Sequence, residues 1–170
     1  MVLYEFEGKV PKIGKETYVA ETADVIGDVV IGNKCYIGPG ARIKGDYGKI
    51  RIGNETAIQE NCILHARPDE NCSIGNQANI GHGAILHNCT IKDGALIGMG
   101  SIVSDWAVVG ENAIVAEGCV VKQNQVIPAG KIAVGVPAKI IGKRDKQFSE
   151  FKGIYVKLAK RYLKGLKRVK

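Results

Sequence analysis

Residues 91–109 read Ile91-Lys92-Asp93-Gly94-Ala95-Leu96-Ile97-Gly98-Met99-Gly100-Ser101-Ile102-Val103-Ser104-Asp105-Trp106-Ala107-Val108-Val109. An aliphatic residue stands at every sixth position, Ile91, Ile97, Val103 and Val109, and a small one follows four places later at Ala95, Ser101 and Ala107. Helical periodicity does not produce a six-residue interval, and strict alternation is too irregular here for hairpins. A period of six is the mark of a parallel β-helix, in which each unit is one short strand and three units close one turn of a triangular prism. The aliphatic residue points into the prism and the small one fills beside it. Gly tolerates the backbone angles of the corners.

Working outward, the series runs back through Leu86, Ile80, Ile74, Leu64, Ile58, Ile52, Ile43, Ile37, Ile31, Val25 and Val19, and on through Val115, Val121 and Ile127. That makes 18 units, or about six coils, stacked at the ordinary strand spacing of about 4.8 Å. Phase slips three times: three extra residues precede Ile52, four precede Ile74, and one is missing before Ile91. The register turns Cys35, Cys62, Cys72 and Cys119 inward and leaves Cys89 unplaced. After Ile127, turn residues end the repeat. From Ser149, a plausible N-cap, an apolar stripe of Phe151, Ile154, Tyr155, Leu158, Tyr162 and Leu166 predicts a helix. The expected division is a β-helix domain over 1–147, with an N-terminal cap strand, and an amphipathic helix over 148–170 that packs on the prism.

Bulk properties narrow the classes. The net charge of +7 is uneven, because 12 basic and 2 acidic residues lie beyond position 138 and the body before it is mildly acidic. A nucleic-acid contact would have to live on that tail, which lacks a binding motif, so no nucleic-acid partner is expected. No run approaches the ~18 apolar residues of a membrane span, and the acidic start does not read as a secretory signal. Five cysteines without a C-x-x-C pair are expected to be reduced thiols in a cytoplasmic protein, and do not have zinc-site spacing.

The chain has three histidines. His65 and His87 directly follow Leu64 and Leu86, two units of the same face one coil apart, so both side chains point outward from adjacent rungs. His82 is the second residue after Ile80 on the preceding face and looks around the corner, away from the other two. A threefold trimer would set that face against the neighbour's histidine pair and assemble three imidazoles, the ligand number of a catalytic zinc site. Lys44 shares the column of His65 and His87. Gln59 and Glu60 follow Ile58 one rung from His82, which predicts that Glu60 crosses toward Lys44 of the neighbour.

These features, together with Gln59-Glu60-Asn61-Cys62-Ile63-Leu64-His65, Gly81-His82 and Leu86-His87, resemble the γ-class carbonic anhydrase family over nearly the whole chain. Relatives there include proteins labelled ferripyochelin-binding and others linked to carnitine or phenylacetate metabolism. The resemblance implies a left-handed helix and a homotrimer with Zn2+ (or Fe2+ or Co2+) between subunits on His65, His82 and His87. It also implies hydration of CO2 to bicarbonate by a metal-held hydroxide, with Gln59 and Tyr155 near the metal. The family's R-x-D and Q-D elements are Lys44-Gly45-Asp46 and Gln59-Glu60 here, which places Lys44, Asp46 and Glu60 at the site. The acidic loop that supplies a glutamate shuttle is reduced to Ala66-Arg67-Pro68-Asp69-Glu70-Asn71, and Tyr47 replaces a further glutamate, so weak turnover is expected. A hexapeptide acyltransferase, a metal-dependent thioesterase on a coenzyme A ester and a non-catalytic binding or assembly trimer stay open as alternatives.

Overall fold

In the computed structural model, which describes residues 2–144 and 153–169, the chain winds as a parallel β-solenoid with one C-terminal helix. Inward residues stack in three columns. The first face carries Val19, Ile37, Ile58, Ile80, Ile97, Val115 and Ala133. The second carries Leu3, Val25, Ile43, Leu64, Leu86, Val103 and Val121. On the third stand Ile13, Ile31, Ile52, Ile74, Ile91, Val109 and Ile127. Most of these side chains are fully buried and form one continuous core.

Each column has seven rungs, so the solenoid has about seven turns where the repeat alone suggested six. The added rungs are Leu3, Ile13 and Ala133. Ala133 keeps the six-residue phase but is too small to announce a unit. Leu3 lies ten residues before Ile13, so the intervening turn hides its phase. The expected N-terminal cap strand, Val2–Tyr4, is thus the lowest rung of the second face.

All three phase slips fall at the corner between the second and third faces. Strands Asp24–Ile31 and Arg42–Ile52 run unbroken across that corner, and the pairing jumps from Gly27↔Gly45 to Val29↔Ile50. Residues 46–49 thus stand opposite Asp28 alone, and the three surplus residues make this segment bulge. The four extra residues before Ile74 form the turn at Arg67–Glu70. At the short unit Asn88 takes a left-handed φ of 49° and Cys89 turns inward. All five cysteines are buried, and Cys89 fills the core one rung above Cys72, its sulfur 4.0 Å away.

The helix spans Ile154–Gly165 and lies on the first face. Tyr155 packs on Tyr36, with ring centroids 5.1 Å apart, and Tyr162 meets Tyr18 edge-on at 5.0 Å. Ala159 is the helix's buried residue. The stripe expected from sequence is narrower than drawn. Ile154 and Leu166 are exposed, because Ile154 sits about 100° of helical rotation from Tyr155 and Leu166 is already extended. Ser149, Phe151 and the 147/148 boundary lie outside the described residues. Among the described residues, no helix is long and apolar enough to cross a membrane.

Candidate metal centre

Leu64 and Leu86 hold the histidine pair by their burial, since an inward leucine forces the next residue outward. His65 and His87 are direct partners in adjacent rungs, and Lys44 occupies the rung below. Their rings are 5.3 Å apart, with His65 Nδ1 facing His87 Nε2 at 3.3 Å.

Carboxylates close both ends of the pair. The bulge at 46–49 swings Asp46 beside His65, whose Nε2 donates to Asp46 Oδ1 at 2.9 Å. From the rung above, Asp105 Oδ1 accepts from His87 Nδ1 at 2.5 Å. A cation backs each acid: Lys44 Nζ lies 2.9 Å from Asp46 Oδ2, and Arg67 Nη1 lies 2.8 Å from Asp105 Oδ2. Burial raises the pKa of Asp46, but the bonds from Lys44 and His65 outweigh it and hold the carboxyl at about 2. Asp105 is lowered in the same way, burial being overcome by His87 and Arg67.

Ionised carboxylates only accept, so the ring protons sit on the outer nitrogens, His65 Nε2 and His87 Nδ1. In the neutral rings the inner nitrogens, His65 Nδ1 and His87 Nε2, are then lone pairs that face one another. Only a shared proton or a cation makes that arrangement favourable. Two ligands at 2.0–2.1 Å on a tetrahedral zinc stand about 3.3–3.4 Å apart, which the 3.3 Å separation matches. Imidazoles backed by carboxylates are the common second sphere of such metals. The donor set fits half of a metal site.

His82 is elsewhere. On the first face its Nδ1 stands 2.6 Å from Glu60 Oε2, an ion-pair distance without hydrogen-bond alignment. Among the described residues no three His, Cys, Asp or Glu groups are placed so that they could hold a metal ion within the chain. Glu60 Oε1 accepts from Tyr36 Oη at 2.6 Å. Burial and that bond push the Tyr36 pKa up, while burial and the Glu60 charge raise that of Tyr155. Gln59 is 6% exposed, and its Nε2 donates to Asn79 Oδ1 at 2.6 Å. Gln59, His82 and Tyr155 share a groove of about 380 Å³ walled by Leu96, Met99, Ile114 and Ile132.

Within the chain, then, Lys44 pairs with Asp46, and Glu60 with Tyr36 and His82. The expectation that Lys44 and Glu60 seek each other across an interface did not consider these nearer partners. Both arise because the 46–49 bulge returns Asp46 over Lys44 and because Tyr36 lies one rung below Glu60. Of the two acids of the short loop, Glu70 is engaged, its Oε2 accepting from Asn88 Nδ2 and Trp106 Nε1, and Asp69 is exposed. Tyr47 is 64% exposed, with its ring 6.0 Å from that of His65. Sequence reasoning passed over Asp105 and Arg67. Asp105 was findable, being the second residue after Val103, one rung above His87. Arg67 was not, because its turn lies outside the repeat.

Known proteins share this architecture. The bacterial transferase hexapeptide family (six repeats) is matched over residues 11–45 and 88–123. The carnitine operon protein CaiE of Citrobacter koseri is 43% identical over 145 residues, covering 85% of this chain and 73% of that one. CaiE of Salmonella newport is 37% identical over 174 residues, covering 100% of this chain and 88% of its own. Among solved structures, a hexapeptide transferase family protein from Anaplasma phagocytophilum superposes with a TM-score of 0.91 at 33% identity, covering 95% and 98% of the two chains.

Proposed function

Since the chain belongs to the bacterial transferase hexapeptide family, we propose that it is a γ-type carbonic anhydrase-like metalloenzyme that hydrates CO2 reversibly to bicarbonate. One observation carries this reading. Two imidazole lone pairs face each other across 3.3 Å with both outer nitrogens tied to carboxylates. In the proposed homotrimer His65 and His87 of one subunit meet His82 of the next around Zn2+, Fe2+ or Co2+. Surface composition supports the docking. The second face shows an outward aliphatic ladder of Ile63, Ile85, Ile102 and Val120 on successive rungs, with Ile63 and Ile102 exposed. The first face shows the apolar groove beside His82.

When bound, the metal supplies Lewis acidity that brings the pKa of water to about 7. The residues do the rest. Asp46 and Asp105 keep the ring protons on the outer nitrogens, and Lys44 and Arg67 keep those acids ionised. The Glu60 charge beside His82 Nδ1 favours a proton there, which leaves Nε2 free to bind the metal. Gln59, anchored by Asn79, orients substrate at the groove mouth. Among the described residues the acids around the pair, Asp46, Asp105 and Glu70, are all engaged by neighbouring donors. Proton exit therefore depends on external buffer.

A second reading is acyl transfer or hydrolysis of a coenzyme A ester. It is favoured by the groove of about 380 Å³, far more room than CO2 fills. Metal analysis of anaerobically and aerobically purified protein, with CO2-hydration and acyl-CoA assays on each, separates the readings. One metal per chain with metal-dependent hydration is the expected result. Metal with thioester turnover and no hydration would transfer the site to the second reading, and no metal in either preparation would sink both metal readings. His82→Ala and His87→Ala chains, each inactive alone, should regain some activity when mixed as exchanging trimers. If they regain none, the shared site is wrong.

A further inference from the structure

Arg67 to Glu70 break the six-residue phase, yet this turn is stitched to both rungs above it. Asn88, 3% exposed, takes the Arg67 backbone N–H on Oδ1 at 3.3 Å and donates from Nδ2 to Glu70 Oε2 at 2.6 Å. One rung higher, Trp106 occupies the corner with a left-handed φ of 56°. That is an uncommon conformation for so large a side chain. Its Nε1 donates to the same Glu70 oxygen at 2.7 Å, and the Arg67 guanidinium lies over its ring at 5.2 Å. From this platform Arg67 Nη1 reaches Asp105 Oδ2, whose other oxygen takes the His87 proton.

Donor chemistry leaves no ambiguity of direction. Arg67 can only donate, and beside its guanidinium the Asp105 carboxylate is ionised and only accepts, so the proton between Asp105 and His87 belongs to Nδ1. Resting on the reading of His87 as a metal ligand, we propose that Asp105 and Arg67 are positioning residues that fix the His87 tautomer, and that the turn at 67–70 is their clamp. Glu70 is then a structural acceptor for Asn88 and Trp106 and carries no proton for the reaction. The shortened loop thus has a role of its own. Without Asp105 the His87 ring would have no partner on Nδ1, and its proton would exchange between the two nitrogens.

The test uses full-length protein labelled with 15N-histidine. Long-range 1H–15N correlation reads the His87 tautomer in the metal-free state, and competition with a chelator measures zinc affinity. The wild type should keep His87 Nδ1 protonated throughout, any further proton being the one shared between the two inner nitrogens. Asp105→Ala should show mixed tautomers and bind zinc about 10–100-fold more weakly. Arg67→Met should shift both readouts the same way by less, Arg67→Lys should restore part of the loss, and Asp69→Ala should change neither. Circular dichroism confirms that each variant is folded. His87 Nδ1 protonated throughout and wild-type affinity in Asp105→Ala would overturn the proposal. Should the wild type bind no zinc, the ligand reading fails, while the tautomer spectra still decide whether Asp105 and Arg67 orient the ring.

Discussion

Gly81 and Gly83 flank His82 and should respond to the same substitution for different reasons. A Cβ at Gly81 would stand 2.8 Å from Ile97 O, 2.8 Å from Met99 N and 3.0 Å from Gly98 C, all backbone of the next rung. Those atoms cannot swing aside, so the rungs must separate where Gly81 N donates to Ile97 O at 2.8 Å. Overpacking of this kind costs about 1–3 kcal/mol, and three simultaneous backbone clashes place Gly81→Ala at the upper end. Gly83 has φ +69° and nothing within 4 Å of an added Cβ. Gly83→Ala therefore meets only the left-handed backbone penalty of about 1–2 kcal/mol. Asn61 holds φ 59° at the same corner one rung below, so Gly83→Asn should cost less than Gly83→Ala. Guanidinium unfolding at one fixed protein concentration measures all three as midpoint shifts at constant slope. Because a Cβ at Gly81 forces apart the rungs that position His82 whereas one at Gly83 meets nothing within 4 Å, Gly81→Ala should also weaken metal binding, and Gly83→Asn should not. A Gly81→Ala protein no less stable than Gly83→Ala would refute the assigned rung spacing. A Gly83→Asn protein as damaged as Gly83→Ala would refute the corner argument.

Other consequences are open to direct measurement. Leu86, fully buried between Leu64 and Val103, should lose about 2–5 kcal/mol on change to Ala in denaturant unfolding. Asp46 is held at about 2 in the folded chain, below its unfolded value of about 3.9, so its stabilising contribution is complete above pH ~4 and disappears as pH falls toward 2. Asp46→Asn should flatten the loss of metal-free stability over that window, and an unchanged slope would contradict the assignment. All five thiols are buried, and burial pushes Cys62 up to about 11. A disulfide thiol reagent should therefore leave the native protein untouched and titrate five groups after denaturation. Hydration activity at saturating CO2 should rise with the concentration of an imidazole buffer, whereas a buffer-independent rate would mean that an internal proton carrier operates.

Much of the fold was legible because it repeats. The inward aliphatics Ile43, Leu64, Leu86 and Val103 are spaced by whole coils apart from two insertions and one missing residue, and their pairings are the adjacent-rung pairings of the second face. Burial forces the phase, so an inward Leu86 leaves His87 no choice of side. Legibility failed where side chains were small or the chain left the period. Ala133 gave too little apolar signal, and Leu3 was separated from its phase by a turn. At the site, Asp46 and Arg67 sit in insertions, whose paths depend on tertiary contacts with neighbouring rungs.

Taken alone, the sequence determined a six-residue solenoid with buried thiols, and it determined the face and rung of every histidine. These follow from a local rule, the alternation of inward and outward residues on short strands. Only the tertiary structure decided that His65 and His87 lie between Asp46 and Asp105, with Lys44 and Arg67 behind them. That chain joins residues of four successive rungs, two of them displaced by insertions. Its hydrogen bonds depend on separations of a few tenths of an ångström, which a repeat pattern does not encode. The same bonds assign the ring protons to the outer nitrogens and leave the inner pair facing across 3.3 Å.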